Sequence, residues 1–173
     1  NGSLTIGKAN YTAVSGTKTY DGNANFASGT LTGVNGEQFT VSDLVADSAN
    51  ASANNGASKF IAYTGGITGL NGADSGNYNL TLSSLTGSDN VATITKANYA
   101  AVSGTKTYDG NANFVSATLT GVNGEQFTVS DLVADSANAS ANNGASKFID
   151  YTGSITGLNG ADSGNYNLTL SSL

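Results

Sequence analysis

Asp21-Gly-Asn23-Ala-Asn25 sets oxygen-bearing side chains at alternate positions, as the opening of an EF-hand-type calcium loop does. The pattern then breaks: Phe26 stands where that loop needs glycine, and Thr32 where a bidentate glutamate closes the shell. An Asx-type turn at Asp21 and Gly22, with Tyr20 packing inward, is the stronger reading. Glu37, Asp43, Asp47 and Asp74 offer the residue types of a glycosidase pair, which needs two carboxyl groups facing across a cleft with one pKa raised. Their spacing sets up no such pair, and exposed turn acids are the simpler account. Asp89 is a single carboxylate and makes no cation site. Lys8, Lys18 or Lys59 beside Glu37 would supply an isopeptide cross-link, but solvated lysines that discourage edge-to-edge strand pairing explain them with less. Asn10-Tyr-Thr12, Asn50-Ala-Ser52 and Asn79-Leu-Thr81 fit the N-glycosylation pattern, which a chain this rich in Asn, Ser and Thr produces by chance. The residues thus nominate no catalytic, cofactor-binding or metal-ligating set, and the chain reads as a non-enzyme.

What is missing narrows the chemistry further. The chain has no His, Cys, Met, Trp, Pro or Arg, so a histidine-based triad, a thiolate nucleophile and an ordinary zinc site are all excluded. A net charge of −6 without a basic cluster lacks the footprint of a nucleic-acid binder. Apolar runs of four residues, such as Phe60–Tyr63, fall far short of the roughly 20 that span a bilayer as a helix. No basic-then-apolar segment opens the sequence, which reads as an interior slice of something longer.

The elements that position these residues come in duplicate. Lys8–Leu85 realigns on Lys96–Leu173 at an offset of 88 residues without a gap, and only five of 78 positions differ. Those five are Thr12/Ala100, Ala27/Val115, Gly29/Ala117, Ala62/Asp150 and Gly66/Ser154. The lead-in Leu4-Thr5-Ile6 matches Ala92-Thr93-Ile94 as well. A unit of this length suits one small domain, so two domains are expected, at 1–88 and 89–173, joined by the short polar stretch at Gly87–Asn90. Gly, Ser, Thr and Asn make up 87 of 173 residues, and the apolar residues alternate with polar ones, as in Tyr78-Asn-Leu-Thr-Leu82. Strands are predicted at Leu4–Lys8, Thr17–Tyr20, Thr30–Thr32, Phe39–Ser42, Ser58–Tyr63 and Tyr78–Ser83. Asn35-Gly36 predicts a hairpin turn with both central residues at positive φ. Ser42–Ala53 reads as strand plus loop rather than helix.

Asp74-Ser-Gly-Asn-Tyr78, repeated as Asp162-Ser-Gly-Asn-Tyr166, has the D-x-G-x-Y form of an immunoglobulin tyrosine corner, whose hydroxyl ties back to backbone a few residues upstream. The expected fold is therefore all-β, two tandem immunoglobulin-like sandwiches, with a β-grasp-like sheet as the alternative. Ala27/Val115 and Gly29/Ala117 share strand parity with Leu31/Leu119, so a second domain built with its own Thr-Ile-x-Lys strand is expected to be the more stable.

Thr17-Lys-Thr-Tyr-Asp-Gly22, Gly29-Thr-Leu-Thr-Gly-Val34, Gly72-Ala-Asp-Ser-Gly-Asn-Tyr78 and Ala92-Thr-Ile-Thr-Lys96 together resemble the YDG repeat of large bacterial adhesins, similar to filamentous haemagglutinin-type exoproteins. The resemblance covers both repeats and is loosest over Val41–Ala57. It implies an extracellular or cell-surface stalk module that serves adhesion or biofilm formation, is monomeric, and has neighbouring repeats as its partners. The alternative is that each repeat itself binds a glycan, a host protein or a matrix ligand.

Overall fold

The computed structural model describes all 173 residues, and they divide into two compact units, Asn1–Thr95 and Lys96–Leu173. Both are mostly β. Unit 1 runs β1 (Ala9–Asn10), β2 (Ala13–Thr19), β3 (Asn25–Thr32), β4 (Gln38–Ala46), α1 (Ser52–Asn55), β5 (Phe60–Tyr63), β6 (Ile67–Gly69), β7 (Tyr78–Asn79) and β8 (Asn90–Thr95). Its main sheet has the order β5-β4-β3-β2-β8, and β6 continues β5 along the same edge of β4. All ladders of that sheet are antiparallel except β2–β8, and β1 pairs with β7 as a separate parallel ribbon.

Alternation builds the inner face of this sheet, but the alternation slips once. Phe39 and Val41 point inward, then Leu44 and Ala46, so the parity changes between Val41 and Leu44. Asp43 sits at that point with φ 51°, a left-handed conformation that the short polar side chain of aspartate tolerates. On β3 the same slip separates Phe26 from Leu31, the residues paired with Leu44 and Phe39. Ala27 is therefore outside the core although Gly29 is inside it, and Val115 is 84% exposed. The expected gain from two buried methyl groups in the second repeat does not arise. Gly29 itself lies so close to β2 that a Cβ would meet the Ser15 carbonyl oxygen at 2.9 Å.

Aromatic rings fill the space between the main sheet and the β1–β7 ribbon. Tyr11 stacks on Tyr78 at 4.7 Å and meets Phe39 edge-on at 5.0 Å. Toward the other end, Phe60 packs edge-on against Phe26 at 5.0 Å, directly over Gly16, where any side chain would collide with the Phe60 ring. Val14, Leu31, Val41, Leu44, Ala46, Leu82, Leu85, Ala92 and Ile94 are buried with them.

The segment expected as a linker is part of the fold. Asn90 is 2% exposed; its carboxamide accepts from the Phe60 N–H at 2.8 Å and donates to the Phe60 carbonyl at 2.9 Å, imitating a strand ladder with a side chain. Asn90–Thr95 then lies along Val14–Thr19, so the Thr-Ile-x-Lys strand closes the unit that precedes it, and the division falls after Thr95 rather than after residue 88. Leu4–Lys8, predicted as a strand, pairs with nothing, and Leu4 and Ile6 are each 91% exposed. The Tyr78–Ser83 strand stops at Asn79 and gives way to a 3-10 turn, and the 42–53 segment holds strand as far as Ala46, then loop to Ala51, before the short helix α1 begins at Ser52.

Unit 2 comprises β9 (Ala97–Asn98), β10 (Ala101–Ser103), β11 (Asn113–Thr120), β12 (Gln126–Ala134), α2 (Ser140–Asn143), β13 (Phe148–Tyr151), β14 (Ile155–Gly157) and β15 (Tyr166–Asn167). Its sheet order is β10-β11-β12-β13 with β14 also on β12, and no strand stands where β8 stands in unit 1. Without that neighbour β10 spans 3 residues where β2 spans 7. Tyr108 is 64% exposed and Leu173 39% exposed, against 7% for its counterpart Leu85. In the intact chain, unit 2 should therefore open first. Hydrogen exchange should find the amides of Val102–Tyr108 faster than those of Val14–Tyr20; equal protection would contradict the role given to β8.

Candidate functional site

The loop whose residue types suggested a bound cation closes around one that the chain supplies. Lys18, near the end of β2, sends its ammonium back over Asp21–Asn25. It donates to the Asn23 carbonyl at 3.0 Å, the Asn23 Oδ1 at 3.0 Å and the Asn25 carbonyl at 2.8 Å, and pairs with Asp21 Oδ1 at 2.6 Å. The loop is preshaped by two Asx bonds, from the Asn23 N–H to Asp21 Oδ1 at 3.1 Å and from the Asn25 N–H to Asn23 Oδ1 at 2.8 Å. The face of the Phe26 ring lies 5.4 Å from Nζ and adds a cation–π contact. Burial alone would raise the Asp21 carboxyl, but bonds from Lys18 and Asn23 outweigh it and hold the group below its ordinary range.

Unit 2 repeats the arrangement. Lys106 reaches Asp109 at 2.7 Å, the Asn111 carbonyl at 2.8 Å, Asn111 Oδ1 at 2.9 Å and the Asn113 carbonyl at 2.8 Å, with Phe114 at 5.3 Å. There the lysine bond comes first among the causes that hold Asp109 low. Because residues 104–109 belong to no strand, this cage forms without the support of a paired β2. Sequence reasoning named Lys18 as a cross-link candidate and a solvated edge lysine, and missed its role as the cation of this loop. Its signal is a lysine three positions before the Asp-x-Asn-x-Asn run, present in both repeats.

Outside the cage, Asp21, Asn23, Asn25, Asp43 and Thr64 line an open recess of ≈ 490 Å³. Asp109, Asn111, Asn113, Asp131 and Thr152 line its counterpart of ≈ 420 Å³. Asp43 and Asp131 reach these rims from left-handed backbone, at φ 51° and 54°.

Tyr78 does not form the expected corner. Its hydroxyl accepts from the Val34 N–H at 3.2 Å and donates to Glu37 Oε2 at 2.8 Å, which ties it to the β3–β4 hairpin 44 residues earlier in the chain. Glu37 also accepts from the Asn35 N–H at 2.9 Å. At the tip only Gly36 has positive φ, 79°, and the Gly36 N–H bonds the Gly33 carbonyl, so the turn is a type I turn followed by a left-handed glycine rather than the predicted primed turn. Gly33 is required where it stands, since a Cβ there would strike the Tyr78 hydroxyl. The hydrogen bond from Tyr78 leads the causes that hold the Glu37 carboxyl low; burial, then Glu37, pushes the Tyr78 phenol up. Tyr166 makes the same link to Val122 at 3.1 Å and Glu125 at 2.7 Å.

The other candidates are dispersed. Asp47 accepts from the Lys59 N–H at 3.1 Å, closing the segment between β4 and β5, and Asp74 accepts from the Gly76 N–H at 2.8 Å within its own turn. Asp89 is exposed at the end of a 3-10 turn. Asn10 and Asn79 face each other across β1–β7, and the Asn50 N–H bonds the Ser48 hydroxyl. Lys8 is exposed, while Glu37 is engaged by Tyr78 and Asn35 rather than by lysine.

Lys18→Met keeps most of the stem but removes four polar contacts to the ammonium, and should cost about 1–3 kcal/mol of stability, read by denaturant unfolding. The acid side follows from the same geometry. The lowered carboxyls of Asp21, Asp109 and Glu37 contribute stability that is complete above their ordinary values of 3.8 and 4.5, and that is lost as pH falls below those values toward the native ones. Lys18→Met should flatten this loss, and an unchanged acid profile would count against the cage.

A second comparison separates a used hydroxyl from an unused one. The buried hydroxyls of Tyr11 and Tyr99 meet no protein partner, and burial pushes Tyr99 up to about 12. Tyr11→Phe should leave the melting midpoint unchanged or raise it, whereas Tyr78→Phe should lower it by roughly 5 °C. Equal effects would refute the assignment.

No protein-family model matches the chain, and neither a curated protein nor a solved structure matches it.

Proposed function

We propose that the chain is a pair of non-catalytic stalk repeats from a bacterial cell-surface or secreted adhesin, which extend a distal binding region for adhesion or biofilm formation. The supporting observation is the Lys18 cage and its duplicate at Lys106. In both units the residues most suited to binding an ion are committed to fixing their own loop. Carboxylates at Glu37 and Asp74 serve turns and Asp47 closes the β4–β5 connection, which suits a spacer better than a catalyst. In fold terms the units are read as immunoglobulin-like, with the β1–β7 ribbon as the second layer over Phe39. No helix is long and apolar enough to cross a membrane.

One observation favours the rival, glycan-binding reading: the acid- and amide-rimmed recess at Asp21, Asn25 and Asp43 recurs in unit 2, and such groups suit sugar hydroxyls. A glycan array on the 173-residue chain, read for both binding and hydrolysis, separates the two. The spacer reading expects neither signal. Binding that disappears in Asp43→Ala with Asp131→Ala would establish the rival, and hydrolysis would overturn both.

A further inference from the structure

In unit 1, β8 occupies a slot with partners on both sides. One side is the parallel ladder to Val14–Thr19, which ends with the Tyr20 N–H donating to the Thr95 carbonyl at 2.8 Å. On the other, the Ala92 N–H donates to the Ser58 carbonyl at 2.8 Å and the Ile94 N–H to the Ser52 hydroxyl at 3.0 Å. The head of the strand is fixed by the Asn90 carboxamide on Phe60, and Ala92 and Ile94 bury their side chains completely.

Unit 2 carries the same slot, open. A groove of ≈ 500 Å³ is lined by Val102, Gly104, Phe114, Ser146, Phe148 and Leu170, among others, and each of these six matches the residue at its place in unit 1. Ser58 is 4% exposed under β8, while Ser146 is exposed; Ala51 and Ala139 differ in the same way. Unpaired strand edges of this kind recruit strands.

We propose that this groove is a strand acceptor. Its occupant is an extended segment with the chemistry of Asn90–Thr95, docked in parallel beside Val102–Thr107: asparagine first, a small apolar residue third, isoleucine fifth. The asparagine serves the Phe148 backbone as Asn90 serves Phe60, and the third and fifth side chains enter the apolar groove. Gly2–Lys8 of a second molecule is the poorer fit. It offers Leu4 and Ile6 at the apolar positions but has Gly2 where the amide is needed. The inference rests on the duplicated architecture and stands independently of the adhesin reading.

The test appends Thr-Gly-Ser-Asp-Asn-Val-Ala-Thr-Ile-Thr-Lys, the sequence of Thr86–Lys96, after Leu173 of the full chain. Hydrogen exchange of Val102–Tyr108 should then slow by at least about tenfold, and the lower melting transition should rise by roughly 5 °C or more. Replacing the appended isoleucine with aspartate should abolish both effects. The free peptide Asn-Val-Ala-Thr-Ile-Thr-Lys should compete with the attached strand when that strand carries alanine for asparagine, a change that weakens docking on the order of tenfold. No added protection in the extended chain overturns the proposal. So does concentration-dependent association of the unextended chain that Leu4→Asp with Ile6→Asp abolishes, because the groove would then be taking a second molecule's leading segment.

Discussion

A sheet edge leaves a row of N–H and C=O groups that something must satisfy, and the edge formed by β2 governs how each unit is finished. In unit 1 it is met by a parallel strand, which no tight turn can deliver. The chain goes from β7 through two 3-10 turns before β8 returns to β2, and the buried Asn90 amide anchors that return to Phe60. Ala51, Ser58, Phe26 and Phe60 are all sealed as a consequence. In unit 2 the same residues stand around an unfilled edge, and the difference in burial spreads well past the strand itself. The two repeats thus form an internal comparison in which nearly identical sequence meets two conditions of one edge.

A second constraint is the handling of charge in a chain with few charges. Lysine ammonium groups become loop-forming cations, and their oxygen ligands come from residues within seven positions in the chain. Local partners of this kind order a loop with little loop-closure entropy. That explains why the cage at Lys106 persists where the strand leading into it is unpaired.

Much of this was legible in the sequence, and what was not has physical reasons. The repeat, the β character and the position of the β3–β4 hairpin follow from self-similarity, alternation and Asn35-Gly36. The type of that turn was missed because five residues, not two, join the strands, so only Gly36 needs positive φ. Simple alternation placed Ala27 in the core, since a parity slip at Asp43 depends on one left-handed residue that period-two counting cannot detect. The D-x-G-x-Y motif located a tyrosine that does tie distant backbone, but a local motif carries no information on which hairpin its hydroxyl will find. Asn90 was read as linker because its polarity is evident in the sequence, whereas its mimicry of a ladder exists only once Phe60 is beside it. For the candidate site, the Asp-x-Asn-x-Asn oxygens were found, and their ligand was missed because lysine was weighed as a surface charge.

The direction of β8 also has a mechanical consequence. Within unit 1 the chain enters β2 at Ala13 and leaves β8 at Thr95, and these two parallel neighbours are paired along six residue positions. Tension applied between Ala13 and Thr95 pulls the two strands past each other along their length. The load falls on the whole ladder at once, in shear, and not on one hydrogen bond after another as when a hairpin is peeled. A fold closed by a parallel terminal strand is thereby built to resist stretching at the place where the chain leaves it.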